Sequence, residues 1–180
     1  MPVTDPALFE LDGVRPEIHE TAWVAPGAVV IGAVSLAEGA NVWFNCTLRA
    51  DTNTISVGAR TNIQDGTVIH VNAGDEYSAR IGADVTIGHA AIVHACTLHD
   101  RAFVGMGAIV LDGAVIEDGG MLAAHSTLPP GKRIGRNELW MGTPAKLVRV
   151  MDEAERAIHG RIAPHYAAEA ARYRHGLKAL

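Results

Sequence analysis

Three of the nine histidines, His70, His89 and His94, could bind one metal ion together. Neutral imidazole is the commonest protein ligand of zinc and similar divalent metals. Three protein ligands leave a fourth position open for water, which is the arrangement of catalytic rather than structural metal sites. The spacing of these residues alone leaves a second interpretation open, in which all three are ordinary surface histidines.

A period of six residues organises most of the chain and decides how these histidines are placed. Large aliphatic residues, here called anchors, recur at this spacing, and a small or β-branched residue follows almost every anchor by four positions. The anchors are Val24, Val30, Leu36, Val42, Leu48, Val57, Ile63, Ile69, Ile81, Ile87, Val93, Leu98, Val104, Val110, Ile116, Leu122, Leu128 and Ile134. Neither a helix, with its period of 3.6, nor a simple alternating strand has this repeat.

The six-residue period predicts an all-β fold, a parallel β-helix of short strands joined by tight corners. Three hexads make one triangular coil, and roughly six coils stacked about 4.8 Å apart make a prism about 30 Å tall. Glycine directly follows several anchors, as at Gly58 and Gly88. The anchor Ile69 lies 18 residues, or one coil, before Ile87. The three histidines are therefore expected within about one coil of each other in height.

Two interruptions define the predicted domain organisation. Residues 72–80 (NAGDEYSAR) are polar and contain a Gly-Asp pair, so they are expected to form a loop extruded between coils. The repeat ends after Ile134. We therefore predict a hexapeptide-repeat β-helix over residues 1–136, and a crossing loop with a C-terminal helical tail over residues 137–180. Both parts are expected to form a single structural domain.

The tail is predicted to pack against the prism. Gly142 and Pro144 favour a loop over residues 137–146, and the composition becomes helical after that, with a break at Pro164. Ala157, Ile158 and Ile162 are expected to form the apolar face of the helical region. Such a helix would lie along the prism or cap one end, where it would shield exposed strand edges.

Composition and charge argue against several classes of function. The 180 residues carry 15 basic and 20 acidic side chains and no basic run, so we expect no nucleic-acid partner. No stretch approaches the roughly 18 apolar residues of a membrane span, and no signal-peptide pattern opens the sequence. Cys46 and Cys96 have neither disulfide nor zinc spacing. These observations predict a soluble, cytoplasmic protein with reduced thiols and no membrane contact.

Specific motifs surround the three histidines. R-x-D, N-x-Q-D and H…H-x4-H occur in this order within the chain. The stretches that contain them and their neighbours are Asn45–Asp51 (NCTLRAD), Thr61–Val71 (TNIQDGTVIHV), Ile87–Cys96 (IGHAAIVHAC), Val104–Gly113 (VGMGAIVLDG) and Gly142–Lys146 (GTPAK). On these motifs nearly the whole chain resembles the γ-class carbonic anhydrase family of hexapeptide-repeat proteins. The resemblance implies a left-handed β-helix, whereas the general crossover rule would predict the opposite hand.

The resemblance also implies a homotrimer with a metal ion at each subunit interface. His70 and His94 would come from one subunit and His89 from its neighbour. Zinc is the first expectation for the divalent metal, and iron or cobalt are alternatives because imidazole suits all three. The implied reaction is the reversible hydration of carbon dioxide to bicarbonate by metal-bound hydroxide, catalysed by a carbonate dehydratase, which is a lyase.

Several further residues match the family's catalytic positions. Arg49 and Asp51 match an interface pair that holds the network around the solvent on the metal. Gln64 matches a residue that hydrogen-bonds this solvent, and Asn62 matches one proposed to help to place the substrate. Tyr166, in the helical tail, resembles a tyrosine that some relatives direct toward the site.

The sequence departs from the active prototype of the family in its acidic residues. The prototype has a glutamate directly after R-x-D, where this chain has Thr52, and another glutamate on an acidic loop. Residues 72–80 offer Asp75 and Glu76, but their register against the prototype's loop is not defined. Asp65 matches an interface acid, for which we favour structural pairing. The departure predicts weak hydration activity, because the prototype's proton-carrying glutamates are not matched, while the three metal ligands are kept.

Two other classes of function fit the same fold. A hexapeptide acyltransferase or a metal-assisted acyl-coenzyme A thioesterase could use His125, which lies on a repeat face, as a general base. A non-catalytic trimeric scaffold would keep the metal but turn over no substrate. The remaining histidines, His19, His99, His159, His165 and His175, are interpreted as solvated surface residues.

Overall fold

A computed structural model describes residues 5–178 as a triangular prism of stacked strands with two helices packed alongside. The strands are β1 (Ala7–Phe9), β2 (Glu17–Ile18), β3 (Trp23–Val24), β4 (Val29–Leu36), β5 (Asn41–Val42), β6 (Thr47–Val57), β7 (Asn62–Ile63), β8 (Val68–His70), β9 (Ala79–Ile81), β10 (Thr86–Ile87), β11 (Ile92–His94), β12 (Thr97–Leu98), β13 (Phe103–Val104), β14 (Ile109–Val110), β15 (Val115–Ile116), β16 (Met121–Leu122), β17 (Thr127–Leu128), β18 (Arg133–Ile134), β19 (Glu138–Gly142) and β20 (Ala145–Val150). The helices are α1 (Glu153–His159) and α2 (Ile162–Gly176).

The strands form three faces, and each face is a ladder of parallel rungs. The first face contains β3, β5, β7, β10, β13, β16 and β19. The second face contains β1, the first part of β4, the first part of β6, β8, β11, β14 and β17. The third face contains β2, the remainders of β4 and β6, and β9, β12, β15 and β18. The predicted left-handed parallel β-helix is confirmed, with about seven turns rather than roughly six.

Three corners join the faces, and we number them in chain order. The first corner leads from the first face to the second, the second corner from the second face to the third, and the third corner back to the first face. Backbone hydrogen bonds stack each corner on the next, as where the Ala90 amide donates to the carbonyl of Asp65 at 2.8 Å. Residues on one corner therefore form vertical columns.

The anchors fill the interior of the prism, as the six-residue period predicts. Every anchor from Val24 to Ile134 is buried, and several, including Ile63 and Ile87, have no exposed surface. The large rings lie outside this narrow core. Trp23, Trp43, Phe44, Tyr166 and Tyr173 form an aromatic cluster in which α2 covers the first face.

The helical tail differs from its prediction in two respects. The break between the helices falls at Gly160 and not at Pro164. Pro164 lies in the first turn of α2, where backbone amides have no partner within the helix, so proline costs no hydrogen bond there. The predicted apolar face is also wrong, because no residue of α1 is buried and Ile158 is 63% exposed. The helical residues that are buried, Ala163 and Ala170, belong to α2.

The crossing loop predicted over residues 137–146 is wrong. These residues contribute to an antiparallel hairpin in which Glu138–Gly142 pairs with Ala145–Val150. The first hairpin strand, β19, continues the ladder of β16, because Leu139 and Trp140 pair with Met121 and Leu122. The hairpin therefore adds a rung beyond the last regular hexad.

The predicted loop over residues 72–80 is shorter than expected. Strand β9 begins at Ala79, because Ala79 and Arg80 pair with Ile55 and Ser56 of β6. Residues 72–78 project from the second corner. The division into residues 1–136 and 137–180 within one domain stays a prediction.

The stacked corners yield a test of the fold. A β-carbon added at Gly58 would lie 2.4 Å from the carbonyl carbon of Gly82 in the next coil. We expect Gly58→Ala to lower the free energy of unfolding by about 1–3 kcal/mol, because the corner is overpacked. Chemical denaturation followed by circular dichroism measures this change.

The matched control is Gly176→Ala, since a β-carbon at Gly176 meets no atom within 4 Å. We expect the control to change the free energy of unfolding by less than about 0.5 kcal/mol. Equal stability of Gly58→Ala and the unmodified protein would contradict the close stacking of the corner.

Candidate functional site

His70 and His94 lie beside each other at the end of the second face. They occupy the last positions of β8 and β11, and parallel pairing places them in register on neighbouring rungs. Nδ1 of His70 lies 3.0 Å from Nε2 of His94. Their rings are partly buried. We refer to these two residues as the histidine pair.

A carboxylate holds the outer nitrogen of each ring in the histidine pair. Nε2 of His70 lies 2.9 Å from Oδ1 of Asp51, and Nδ1 of His94 contacts Oδ1 of Asp112. An ionised carboxylate only accepts hydrogen bonds, so each outer nitrogen carries its ring's proton. In neutral rings the two inner nitrogens then both present lone pairs to each other.

Facing lone pairs at 3.0 Å repel unless a cation lies between them, and this geometry fits a divalent metal. Two nitrogens that share a tetrahedral zinc at about 2.0 Å are about 3.3 Å apart, close to the observed separation. Histidine ligands usually donate their other ring proton to a carboxylate, as both rings do here. The histidine pair therefore has the chemistry of two metal ligands.

Sequence reasoning missed Asp112, which completes this arrangement. Asp112 lies on the second corner, 18 residues or one coil after His94. Its second oxygen accepts a hydrogen bond from Nδ2 of Asn72 at 2.8 Å. The coil length of 18 residues was the signal that could have identified it, because residues one coil apart on a corner lie in the same column.

Arg49 and Asp51 lie where the resemblance implies, next to the histidine pair. Arg49 pairs in register with His70, and its guanidinium contacts the Asp51 carboxylate. Burial opposes ionisation of Asp51, but its hydrogen bonds with His70 and Arg49 outweigh this and hold the pKa of its carboxyl below the usual value. Asp51 therefore remains an acceptor for His70 at neutral pH.

His89 lies on the first corner, away from the histidine pair. Its Nδ1 lies 2.9 Å from Oδ2 of Asp65, and its Nε2 lies 3.4 Å from the hydroxyl of Tyr166 on α2. Asp65 thus lies within ion-pair distance of His89, but it does not hydrogen-bond to the ring as Asp51 and Asp112 do in the pair. Burial, and then the charge of Asp65, raise the pKa of Tyr166, so its hydroxyl stays protonated.

Gln64 and Asn62 lie on the same side of the prism as His89. Nε2 of Gln64 donates to Oδ1 of Asn62 at 3.0 Å, and Nδ2 of Asn62 donates to the Thr86 hydroxyl at 2.9 Å. Both side chains are buried. With its amide nitrogen committed to Asn62, the carbonyl oxygen of Gln64 remains available as an acceptor.

A recess opens beside His89, between the first face and α2. It has a volume of about 390 Å³ and combines Gln64, His89 and Tyr166 with apolar side chains. The main apolar lining residues are Phe103, Met106, Met121 and Ile162. Such a recess suits a small, largely apolar molecule.

The predicted site residues therefore fall into two half-sites on different corners. Across residues 5–178, no three histidine, cysteine, aspartate or glutamate side chains converge to hold a metal ion. The reason is the course of β11: His89 lies on the corner before this strand and His94 at its far end. The second-corner half-site contains Arg49, Asp51, His70, His94 and Asp112. The first-corner half-site contains Asn62, Gln64, Asp65, His89 and Tyr166.

The two cysteines and His125 belong to neither half-site, although Sγ of Cys46 donates to the backbone carbonyl of Gln64 at 3.1 Å. Cys46 and Cys96 are free and buried, and burial raises the pKa of each thiol to about 12. His125 is exposed on a corner, with its ring against Gly107. In the described part of the chain, no helix is long and apolar enough to cross a membrane.

Several named proteins are similar in sequence to this chain over most of its length. No protein-family model matches the sequence. Gamma carbonic anhydrase 1, mitochondrial, of Arabidopsis thaliana is 43% identical over 155 residues, 84% of this chain and 56% of the plant protein. This chain thus spans about half the length of that relative. Protein YrdA of Escherichia coli is 40% identical over 147 residues, 79% of this chain and 80% of the bacterial protein.

A crystal structure of a hexapeptide transferase family protein from Anaplasma phagocytophilum has the same fold. It superposes with a TM-score of 0.88 at 46% identity and covers 93% of this chain and 98% of its own. The shared fold and the identity to the relatives agree with the R-x-D, N-x-Q-D and histidine motifs. The chain therefore belongs to the γ-class carbonic anhydrase family of hexapeptide-repeat proteins.

Proposed function

We propose that this protein is a carbonate dehydratase that hydrates carbon dioxide reversibly to bicarbonate at a metal site shared between subunits. The observation that carries the proposal is the histidine pair, in which two carboxylate-held imidazoles face each other at 3.0 Å. The name of the plant relative, a gamma carbonic anhydrase, supports the same activity.

We propose that the metal site is completed in a homotrimer. His70 and His94 of one subunit would meet His89 of the partner subunit, since one chain holds these ligands on two corners. Exposed apolar residues flank both half-sites: Val68 and Ile92 are each 40% exposed on the second face, and Met106 is 57% exposed beside His89. Burying these side chains between subunits would stabilise the association.

The carboxylates would fix the ligands in their binding form. When bound, a divalent metal would lower the pKa of its water from about 15.7 to about 7 and so supply hydroxide at neutral pH. Asp51 and Asp112 keep the protons of His70 and His94 on the outer nitrogens, which leaves the inner nitrogens free to bind. Asp65 lies beside Nδ1 of His89 and would favour a proton there.

Gln64 and the recess would handle the substrate. The carbonyl oxygen of Gln64, held in place through Asn62, would accept a hydrogen bond from the reacting solvent and orient it. Carbon dioxide is small and uncharged, so the apolar lining of the recess suffices to admit it. Tyr166, whose hydroxyl is protonated and near His89, would close one side of the recess.

The reaction releases a proton that must reach solvent. Thr52 cannot carry it at neutral pH, but Asp75 and Glu76 are exposed carboxylates on the loop of residues 72–78. Asn72 at the base of this loop donates to Asp112, and Asn53 donates to the carbonyls of Asn72 and Gly74. The loop is thus tied to the second-corner half-site, and we propose that its carboxylates pass the proton outward.

We propose zinc as the metal, with iron and cobalt as alternatives, because an all-imidazole ligand set suits each of them. We also propose the cytoplasm as the compartment, with two reduced buried cysteines as support. The plant relative is named as mitochondrial. Measured metal content of protein purified with and without oxygen would decide between zinc and iron.

An acyltransferase remains the second candidate, favoured by the similarity to the Anaplasma protein, which is described as a hexapeptide transferase family protein. Its proposed base, His125, is exposed. Among residues 5–178 the ring of His125 has no hydrogen-bonding partner that would orient it. The Thr143 hydroxyl donates a hydrogen bond to the backbone carbonyl of His125, at 3.4 Å, and not to the ring. A general base is usually held by a third group, so the geometry favours the metal site.

The proposed activity is tested by stopped-flow hydration of carbon dioxide. We expect turnover by protein purified without oxygen and reloaded with zinc or iron. We expect His89→Ala to reduce the rate to that of the uncatalysed reaction, because each site loses one ligand. A metal-loaded trimer without turnover would overturn the proposal in favour of a scaffold, and turnover of acyl-coenzyme A would favour the second candidate.

Sharing of the site between subunits is tested by complementation. His70→Ala and His89→Ala should each be inactive alone. Trimers refolded from an equal mixture should regain about a quarter of the unmodified activity, because half of the chains offer an intact histidine pair and half of the neighbours offer an intact His89. If one chain supplied all three ligands, mixing would restore nothing.

The role of Asp112 is tested by the affinity for metal. We expect Asp112→Asn to weaken zinc binding by about 10–100-fold, because the amide no longer fixes the ring of His94. Competition with a chromogenic chelator measures this affinity. Asp75→Asn is the control, since Asp75 is exposed on the loop, and it should leave zinc affinity unchanged. An unchanged affinity in Asp112→Asn would argue against this role.

A further inference from the structure

A second cavity lies on the third corner, which carries neither half-site. It has a volume of about 380 Å³ and is enclosed by the corner, the edge of the first face and helix α1. None of the proposed metal ligands lines it. Phe103 and Met121 line both this cavity and the recess beside His89, so the two spaces lie back to back.

The residues that line the third-corner cavity carry more positive than negative charge. Three arginines line the cavity, Arg60, Arg101 and Arg156, against one lining carboxylate, Asp84. Arg60 makes a bidentate pair with Asp84, at 2.7 and 2.6 Å. Arg101 and Arg136 both contact Asp118. These pairs fix the positions of the guanidinium groups of Arg60 and Arg101.

Of the three arginines that line the cavity, Arg156 is the one without a carboxylate partner among the described residues. Its Nε donates to the backbone carbonyl of Asp152 at 3.2 Å, and no carboxylate among residues 5–178 pairs with it. The nearby Glu155 is already paired with Arg149 in a bidentate contact. The rest of the Arg156 guanidinium therefore remains free to bind an anion at the mouth of the cavity.

His159 adds an unsatisfied polar atom on the same helix face. It follows Arg156 by three residues, so the two side chains are neighbours on α1. Nδ1 of His159 is buried and has no hydrogen-bonding partner among the described residues. Buried polar atoms are nearly always paired, so this nitrogen marks a place for a partner that the chain does not supply.

The opposite wall of the cavity is apolar. The His159 ring packs on Phe103 with 5.2 Å between ring centroids. Met121, the buried Met151 and Pro164 continue this wall. The cavity thus joins a cationic rim to an apolar floor, and its volume lies within the range of small-molecule sites.

We propose that the third-corner cavity binds a small organic anion, in which a carboxylate or phosphate is attached to an apolar or aromatic group. The anionic group would lie against Arg156 and Nδ1 of His159, with Arg60 and Arg101 adding to the favourable potential. The apolar group would lie on Phe103, Met121 and Met151. This site is separate from the proposed metal centre.

Calorimetric titration of the metal-loaded full chain at low ionic strength tests the proposal, with phenyl phosphate and benzoate as probes. We expect one or both to bind with a Kd of about 1 mM or tighter, and the tighter probe identifies the preferred anionic group. Phenol, which lacks the charge, and inorganic phosphate, which lacks the ring, should each bind more weakly. Added salt should weaken the binding of both anionic probes.

Arg156→Gln should weaken the binding of the tighter probe by at least about tenfold, because it removes a charge-assisted hydrogen bond. Arg161→Gln is the matched control, since Arg161 is exposed just beyond α1 and does not line the cavity, and it should bind as the unmodified chain does. His159→Phe, which keeps an aromatic ring but removes Nδ1, should also bind more weakly. Thermal unfolding of each variant without probe establishes that it is folded.

The proposal is overturned if neither anionic probe binds, if phenol binds as tightly as phenyl phosphate, or if folded Arg156→Gln keeps full affinity. His89→Ala should retain binding of the probe even where hydration is lost. The outcome for the third-corner cavity is therefore independent of the outcome for the metal site.

Discussion

Parallel backbone pairing between neighbouring coils places His70 directly beside His94, on adjacent rungs of the second face. The same pairing places Arg49 one rung away from His70 and sets Asp112 in the column of the second corner. Each rung is anchored by an aliphatic side chain in a close-packed core, and this packing prevents the strand from shifting in register. A shift of one residue would turn anchors outward and separate the pair, so the stacking that stabilises the prism also builds the half-site.

The carboxylates next to the histidines influence which ring nitrogens carry the protons and how the rings are oriented. Without Asp51 and Asp112, either nitrogen of each ring could carry the proton, and the rings could turn. With them, the outer nitrogens of His70 and His94 are hydrogen-bonded to carboxylates and the inner nitrogens face each other at 3.0 Å, an arrangement that suits a bound cation. Asp65 lies beside Nδ1 of His89, so each proposed ligand has a carboxylate next to it.

Division of the site between corners explains why function and assembly are coupled in the proposed mechanism. A triangular coil directs residues five positions apart, such as His89 and His94, toward different corners, and the proposed trimer would bring such corners together between subunits. The third corner keeps its own character, an arginine-rich column under α1 that no proposed metal ligand reaches. The three corners of one repetitive fold thus provide three different chemical environments.

The repeat, the aliphatic core and the family can be read from the sequence, because a six-residue period and contiguous motifs are local patterns that one chain displays directly. Sequence patterns misplaced the break in the tail and missed the β19–β20 hairpin, since Pro164 and Gly142 are compatible with more than one structure until they pack. The assignment of Gln64, Asn62, Arg49, Asp51 and Tyr166 to catalysis stays a prediction, although folding does sort them into two half-sites. Asp112 and the cavity beneath Arg156 and His159 emerged only in the folded chain. These neighbours lie far apart in the sequence and meet through the stacking of coils and the packing of helices, so no local pattern could have revealed them.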